Sequence, residues 1–229
     1  MSDMSSSIQH SRVGETSGLR AMIDATSVAA FLSGLISVAV IITVLSGEAI
    51  HGGDYLLSST ARFAGISALA AAALLVVGIL GVAIRFASVL SPTGRVAIIA
   101  VTLAAALTVA VEGTYGLILI DVMARIPEIA ETPPAALEVA FPAARFTLGL
   151  AGILLAWSLR RSRFAPTASW VFLLIASVVA LVPMPSSYLL FAFAVGAVLR
   201  ASRKRFDGRF GTDVDATEPG THRLHVTSD

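Results

Sequence analysis

The chain contains no cysteine, which excludes disulfides, thiolate metal sites and thiol redox chemistry. Charge is also scarce: 14% of the 229 residues are charged, where a soluble domain carries about a quarter. The four histidines, His10, His51, His222 and His225, all lie outside the long apolar runs. That leaves no histidine for a haem bundle, a zinc-dependent intramembrane protease or a Ser–His intramembrane protease. No pair of aspartates falls within an apolar run, and no glycine-rich loop carries the lysine of a phosphate cradle. These absences argue against an enzyme. No catalytic residue, metal site, cofactor or nucleic-acid partner is expected.

What is present is hydrocarbon-like. Apolar residues make up 56% of the chain, and the mean hydropathy is +0.85. Crossing a ~30 Å hydrocarbon core takes about 20 apolar residues in a helix, and several runs approach or reach that length. The expected fold is all-α: a polytopic transmembrane helix bundle of about six spans in the bacterial inner membrane, with the lipid bilayer as its solvent. The spans are expected at about 27–46, 63–84, 96–120, 143–159, 168–182 and 186–199, within a bundle covering 27–200. The first run has a long leader of mixed charge and no small-x-small cleavage site, so it is read as a span and not as a signal peptide. Residues 1–26 are Ser-rich and aperiodic, and are expected to form a disordered tail. Residues 201–229 are expected to be first basic and then disordered. Pro142 is expected in the first turn of the fourth span, where its missing N–H costs nothing.

Pro183 and Pro185 in "LVPMPSSY" divide the last apolar stretch, and charge decides whether it crosses once or twice. Basic residues are enriched on the cytoplasmic side of membrane proteins. With six spans and both termini inside, 13 of the 16 basic residues fall inside and only Arg62, Arg125 and Arg145 outside. A single crossing would put the cluster "RASRKRFDGR" outside, so two are expected. The outer segments are acidic in keeping. Among them, "MARIPEIAETPPAALEVAF" is expected to form a short surface helix and a proline-broken turn linking spans three and four.

Small residues recur where helices must approach. Ala30-x-x-x-Gly34 and Ser33-x-x-x-Ser37 lie on the first span, Gly78 and Gly81 on the second, and Gly149 and Gly152 on the fourth. In lipid such faces drive helix association through van der Waals contact. The first expectation is packing within the bundle; a membrane-protein partner or a second copy of the chain is the alternative. A faint echo at a spacing of 74 residues relates "GILGVAIRFASVLSPT" (78–93) to "GILLAWSLRRSRFAPT" (152–167), each a helix end followed by a turn.

Three constellations could carry chemistry. Glu112 interrupts the apolar run "TLAAALTVAVEGTYGLILID". It lies 17 residues beyond Arg95, about 25 Å along a helix, while Arg145 lies 15 residues back from Arg160, about 22 Å. On consecutive antiparallel spans the two charges reach similar depth, so Arg145 is a candidate partner for Glu112. Three readings stay open for Glu112: placement at the outer interface with Gly113 and Gly116 loosening the helix, a structural ion pair with Arg145, or a functional carboxylate neighboured by Thr114 and Tyr115. The second constellation, "GEAIHGGD", offers Glu48, His51 and Asp54 at three-residue intervals. Gly52 and Gly53 would break any helix that aligned them, and a solvated acidic loop is expected. The third is the juxtamembrane cluster Arg200, Arg203, Lys204, Arg205 and Arg209, which is suited to anionic lipid at about 1 kcal/mol per charge or serves only as a topology signal.

The Ala/Val/Leu-rich helices, the acidic segment between spans three and four, and the "RRSRFAP" turn before a final hairpin form a recognisable layout. Over about residues 27–205 it resembles that of small, uncharacterised bacterial six-span membrane proteins. The resemblance implies the fold and carries no residue role. On this reading the leading expectation is a non-enzymatic accessory or interaction protein. The alternative is a small transporter or permease using Glu112 and Arg145 near an outer-facing cavity.

Overall fold

A backbone in hydrocarbon must satisfy its own N–H and C=O groups, which leaves the helix as the local solution for an isolated apolar run. Among the described residues every apolar run is helical. The computed structural model describes residues 3–86, 88–126, 135–163, 165–182 and 188–215; the side chains of 3–17, 19, 53, 54, 124, 137, 138 and 203–215 are outside the description. Among the described residues the structure is all-helical. Helix α1 spans Asp3–His51, a 3-10 helix follows at Gly52–Leu57, and α2 spans Ser59–Phe86. Helix α3 (Pro92–Gly113) runs through a π-helical segment (Thr114–Leu119) into α4 (Ile120–Arg125). Helices α5 (Ala135–Ser162), α6 (Thr167–Ala180) and α7 (Leu189–Asp215) complete the chain.

Four helical stretches are long and apolar enough to cross a membrane: Arg20–His51, Ser59–Phe86, Pro92–Met123 and Val139–Ser162. The apolar parts of α6 and α7, Thr167–Ala180 and Leu189–Ser202, are helical but shorter.

The helix boundaries have local causes. Gly52 adopts φ +57°, a left-handed conformation that costs glycine little and ends α1. Ser58 is extended and its Oγ accepts a hydrogen bond from the Ala61 N–H, capping α2. Ser91 caps α3 in the same way, accepting from the Gly94 N–H, with Pro92 in the first turn. The echo segment closes differently, since Pro166 precedes α6 with no side-chain cap.

Three boundaries differ from the sequence expectation. The α1 backbone is helical from Asp3, through the segment expected to be a disordered tail, because a preformed apolar helix spares its N-terminal extension the cost of nucleation. In the same manner α7 continues as helix to Asp215, past the expected end of the last span. Pro142 sits inside α5, not in its first turn, since α5 starts at Ala135. The cost is one i→i−4 hydrogen bond, which a membrane helix tolerates where neighbouring groups re-satisfy the freed carbonyl. Of the segment "MARIPEIAETPPAALEVAF" (123–141), the first three residues end α4 and 135–141 begin α5, while 127–134, where the rest of the expected surface helix and turn falls, lie outside the described residues.

The helices close a ring in chain order: α1 on α2, α2 on α3, α3 on α5, α5 on α6, α6 on α7, and α7 back on α1, with α2 also touching α7. The core is most complete around α7, where Tyr188, Phe191, Val195, Val198 and Leu199 are fully buried. A short helix walled by protein need not match the hydrocarbon thickness, which is why α7 can be both brief and central. Polar groups tie it in place: Ser27 Oγ donates to Gly196 O (3.3 Å), Tyr188 Oη to Ala68 O (3.2 Å), and Arg85 Nη2 to Ser202 O (3.0 Å).

Small residues set the helix spacings, and their partners lie within the chain. Gly78 faces Ala30, Ser33 Oγ donates to Ala71 O at 2.7 Å, and Gly34 faces the Phe193 ring. Gly149 meets Leu181 and the Ser177 carbonyl, and Gly152 meets Ser177 and Phe191. The tightest approach is backbone to backbone. A Cβ added to Gly116 would lie 2.6 Å from the Gly65 carbonyl, and one added to Gly65 would lie 2.7 Å from the Gly116 Cα. Neither neighbour can rotate away, so α2 must part from the π-helical segment to admit a methyl group. Gly65→Ala and Gly116→Ala are each expected to cost about 1–3 kcal/mol of stability as overpacking, whereas Gly18→Ala, with nothing within 4 Å of the added carbon, is expected to leave it unchanged. Unfolding midpoints in mixed micelles check this, and a Gly65→Ala protein as stable as the parent would contradict it.

Candidate functional site

Glu112 occupies an inward position of α3 by simple helical arithmetic. Val101, Ala105, Thr108 and Glu112 follow one another at intervals of four, three and four residues, and all four are buried. Ile99, Leu103 and Leu107 lie on the opposite face and are exposed to lipid. Glu112 itself is only 7% exposed. The carboxylate therefore points into protein and not along the helix surface toward an interface.

The helix changes character directly beyond it. Thr114 Oγ1 donates to Ala110 O at 2.8 Å, a back-bond of the kind that bends helices. The Ile120 N–H then reaches five residues back to Tyr115 O, giving the π-helical segment. Such segments admit one extra residue to the turn and re-aim the side chains around it. Here Gly116 is brought against Gly65 while Tyr115 is left facing α5, where its ring meets Phe141 edge-on at 5.4 Å and 81°.

These elements enclose a cavity of about 670 Å³ at the end of the bundle where α1 stops and α2 begins. Its size lies within the roughly 300–1,000 Å³ of small-molecule sites. Val40, Val44 and Glu48 of α1 form one wall, and Tyr55 and Leu56 of the 3-10 helix form the rim. Ala61, Ala64 and Ala68 of α2 supply a smooth apolar floor beside Gly65. Glu112 and Tyr115 enter from α3 and the π-helical segment, and Phe141 and Arg145 from α5.

Both charges picked out from the sequence thus line one space, and each lies within the field of the other. They do not form an ion pair. The Arg145 guanidinium instead sits over the Phe141 ring, 5.5 Å from its centroid, a cation–π contact that holds the plane and leaves N–H edges available. Among the described residues Glu112 has neither a hydrogen bond nor an ion pair. The ion pair seen in this region is Arg62–Asp121, between α2 and α4. It is largely exposed, and pairs of that kind contribute ~1 kcal/mol or less.

The remaining candidates separate. Glu48 lies at the cavity while His51 is exposed at the end of α1, and Gly52 turns the chain before the two could align with a third ligand. The side chain of Asp54 lies outside the described residues, and among those described no group of three His, Cys, Asp or Glu could hold a metal ion. Arg200 is exposed on α7; the side chains of Arg203, Lys204, Arg205 and Arg209 lie outside the description, on a backbone that is still helical.

Several lining groups escaped the sequence reading. Tyr55 is buried, and its phenol is pushed above its ordinary pKa of 10.0 by burial and further by the Glu48 carboxylate, so it stays protonated and can donate a hydrogen bond at neutral pH. Phe141 gave no signal beyond its place beside Pro142. The π-helical segment was hinted at only by Gly113, Thr114 and Gly116 within four residues.

The chain matches no family model, no curated protein and no solved structure.

A buried carboxylate without a hydrogen bond costs free energy that a neutral amide of the same shape does not. Glu112→Gln is accordingly expected to unfold at the same midpoint as the parent protein or a higher one at pH 7. Loss of more than about 1 kcal/mol, the worth of an ordinary hydrogen bond, would mean that the carboxylate holds the bundle together.

Proposed function

We propose that this chain is a small solute transporter or permease of the bacterial inner membrane, and that the cavity between α1, α2, α3 and α5 is its solute site. One observation carries the reading: Glu112, 7% exposed, lines an approximately 670 Å³ cavity with no hydrogen bond or ion pair among the described residues. Ionisable groups within membrane segments are expensive, and where they face a cavity they are characteristic of solute and ion paths. The aromatic pair Tyr115–Phe141 and the aliphatic floor would hold an apolar body, while Glu112 and Arg145 would fix a polar end.

The accessory-protein reading rests on small-residue faces left free for other helices. Gly34, Gly78, Gly149 and Gly152 are covered by the chain itself, which favours the cavity as the working part.

In this proposal the short helices α6 and α7 complete six spans, both termini face the cytoplasm, and the cavity opens outward. The charge asymmetry supports that orientation, because Arg85, Arg95, Arg160, Arg161, Arg163 and Arg200 then share the inner side. Natural absence of cysteine makes the test clean. A membrane-impermeant maleimide should label Leu57→Cys in intact cells, and Ser88→Cys only after permeabilisation; the reverse pattern would invert the proposed topology.

Transport itself is tested in proteoliposomes with a panel of radiolabelled amines, carboxylates and amino acids. Saturable uptake of at least one panel member, reduced about tenfold or more in Glu112→Gln, is expected. A tenfold loss corresponds to about 1.4 kcal/mol of binding, a modest demand on a charged contact. Wild-type vesicles no more permeable than empty ones across the whole panel would overturn the reading.

A further inference from the structure

The cavity holds two opposite charges that do not meet. An acid and a base whose only function was mutual neutralisation would close on one another, since a direct contact at low dielectric recovers more of their desolvation cost than a gap does. Here Arg145 is held away by its seat over Phe141, and Glu112 is held on α3 just below the π-helical segment. Both residues line the same space. An ionised Glu112 offers acceptors only, and Arg145 offers donors only.

From this juxtaposition, and resting on the solute-site reading above, we infer that the ligand is a small zwitterion with an apolar body, of the chemical class of an apolar amino acid or short apolar peptide. Its ammonium group bonds to Glu112 and its carboxylate to the guanidinium fork of Arg145. The geometry discriminates against the neighbouring classes. A simple amine would satisfy Glu112 and add a second cation beside Arg145, while a simple carboxylate would satisfy Arg145 and crowd Glu112. Only a ligand with both charges satisfies both protein groups and adds no net charge to the site, which is the condition under which charges withdrawn from bulk water are tolerated. The apolar body is dictated by what remains of the wall: Val40, Val44 and Leu56, the alanines of α2, and the Tyr115–Phe141 edge. Glu48 and the protonated Tyr55 phenol also line the cavity, and the acid adds a second group that attracts the ammonium end.

The test is competition binding to the purified full-length protein in nanodiscs. Radiolabelled L-leucine and L-leucyl-L-leucine serve as probes, and the blocked analogues L-leucinamide, N-acetyl-L-leucine and N-acetyl-L-leucinamide as competitors. At least one probe is expected to bind saturably, with each singly blocked analogue competing at least tenfold more weakly and the doubly blocked one weaker still. The variants should exchange preferences: Glu112→Gln is expected to lose the penalty for N-acetylation, and Arg145→Gln the penalty for amidation. That exchange is a readout that misfolding cannot imitate. Equal competition by leucinamide and leucine, with sensitivity to Glu112→Gln retained, would overturn the zwitterion and leave an amine site standing. Failure of both probes and all analogues to bind, while a simple amine or carboxylate of the transport panel is taken up and no amino acid is, would likewise remove the zwitterion but not the transporter. Failure of everything in both experiments would remove both.

Discussion

The backbone contact between Gly65 and Gly116 is the constraint on which the cavity end of this protein depends. Helices in lipid gain nothing from burying apolar surface that hydrocarbon would cover equally well, so they cohere through close contact and a few polar bonds. Two facing glycines bring α2 and the π-helical segment to backbone distance. That contact pins the π-helical continuation of α3 to α2, and the cavity lies beside it, lined from α1, α2, α5 and this segment. Elsewhere Gly78 against Ala30 and Gly152 against Ser177 serve the same purpose, with side chains in place of bare backbone.

Within that frame, the electrostatics at Glu112 are those of a site and not of a brace. A structural pair of opposite charges is short, mutually hydrogen-bonded and dry. Here the cation is stacked on an aromatic ring, the anion has no hydrogen bond among the described residues, and both border an open volume. The π-helical segment belongs to the same arrangement. It uses an irregular turn, beside Glu112, the one charged residue between 96 and 120, to seat Gly116 and Tyr115 on different neighbours. Irregular backbone at membrane depth is tolerated where protein or a cavity surrounds it, and both conditions hold here.

The last helix gives the bundle its interior. Helix α7 is too short in its apolar part to resemble an ordinary span, yet it carries the most completely buried side chains. The Tyr188–Ala68, Ser27–Gly196 and Arg85–Ser202 hydrogen bonds bind it to α1 and α2 along its length. Ala68 also lines the cavity, so the packing of α7 and the floor of the site share one carbonyl-bearing residue.

Much of this was legible in the chain before any coordinates. Twenty apolar residues have one good solution in hydrocarbon, and the rise of a helix is constant, so the helical runs and the similar distance of Glu112 and Arg145 along their helices follow from counting along the sequence. The glycine and serine spacings announced close packing because only small side chains permit it. What counting could not supply was azimuth and register between helices. Whether Glu112 meets Arg145 or stands apart from it depends on where Phe141 places the guanidinium. The π-helical segment depends on Gly65, which is remote in sequence, and the entry of Phe141 and Tyr55 into the site depends on how α5 and the 3-10 helix lean on the rest. Pro142 was misplaced for a related reason, since a helix can start earlier than its proline suggests when the turns before it gain from the bundle. Local chemistry determined which segments are helices and how far along its helix each charge stands. The tertiary structure decided which charges share a space, because that is a property of contacts between helices and is written in no single one of them.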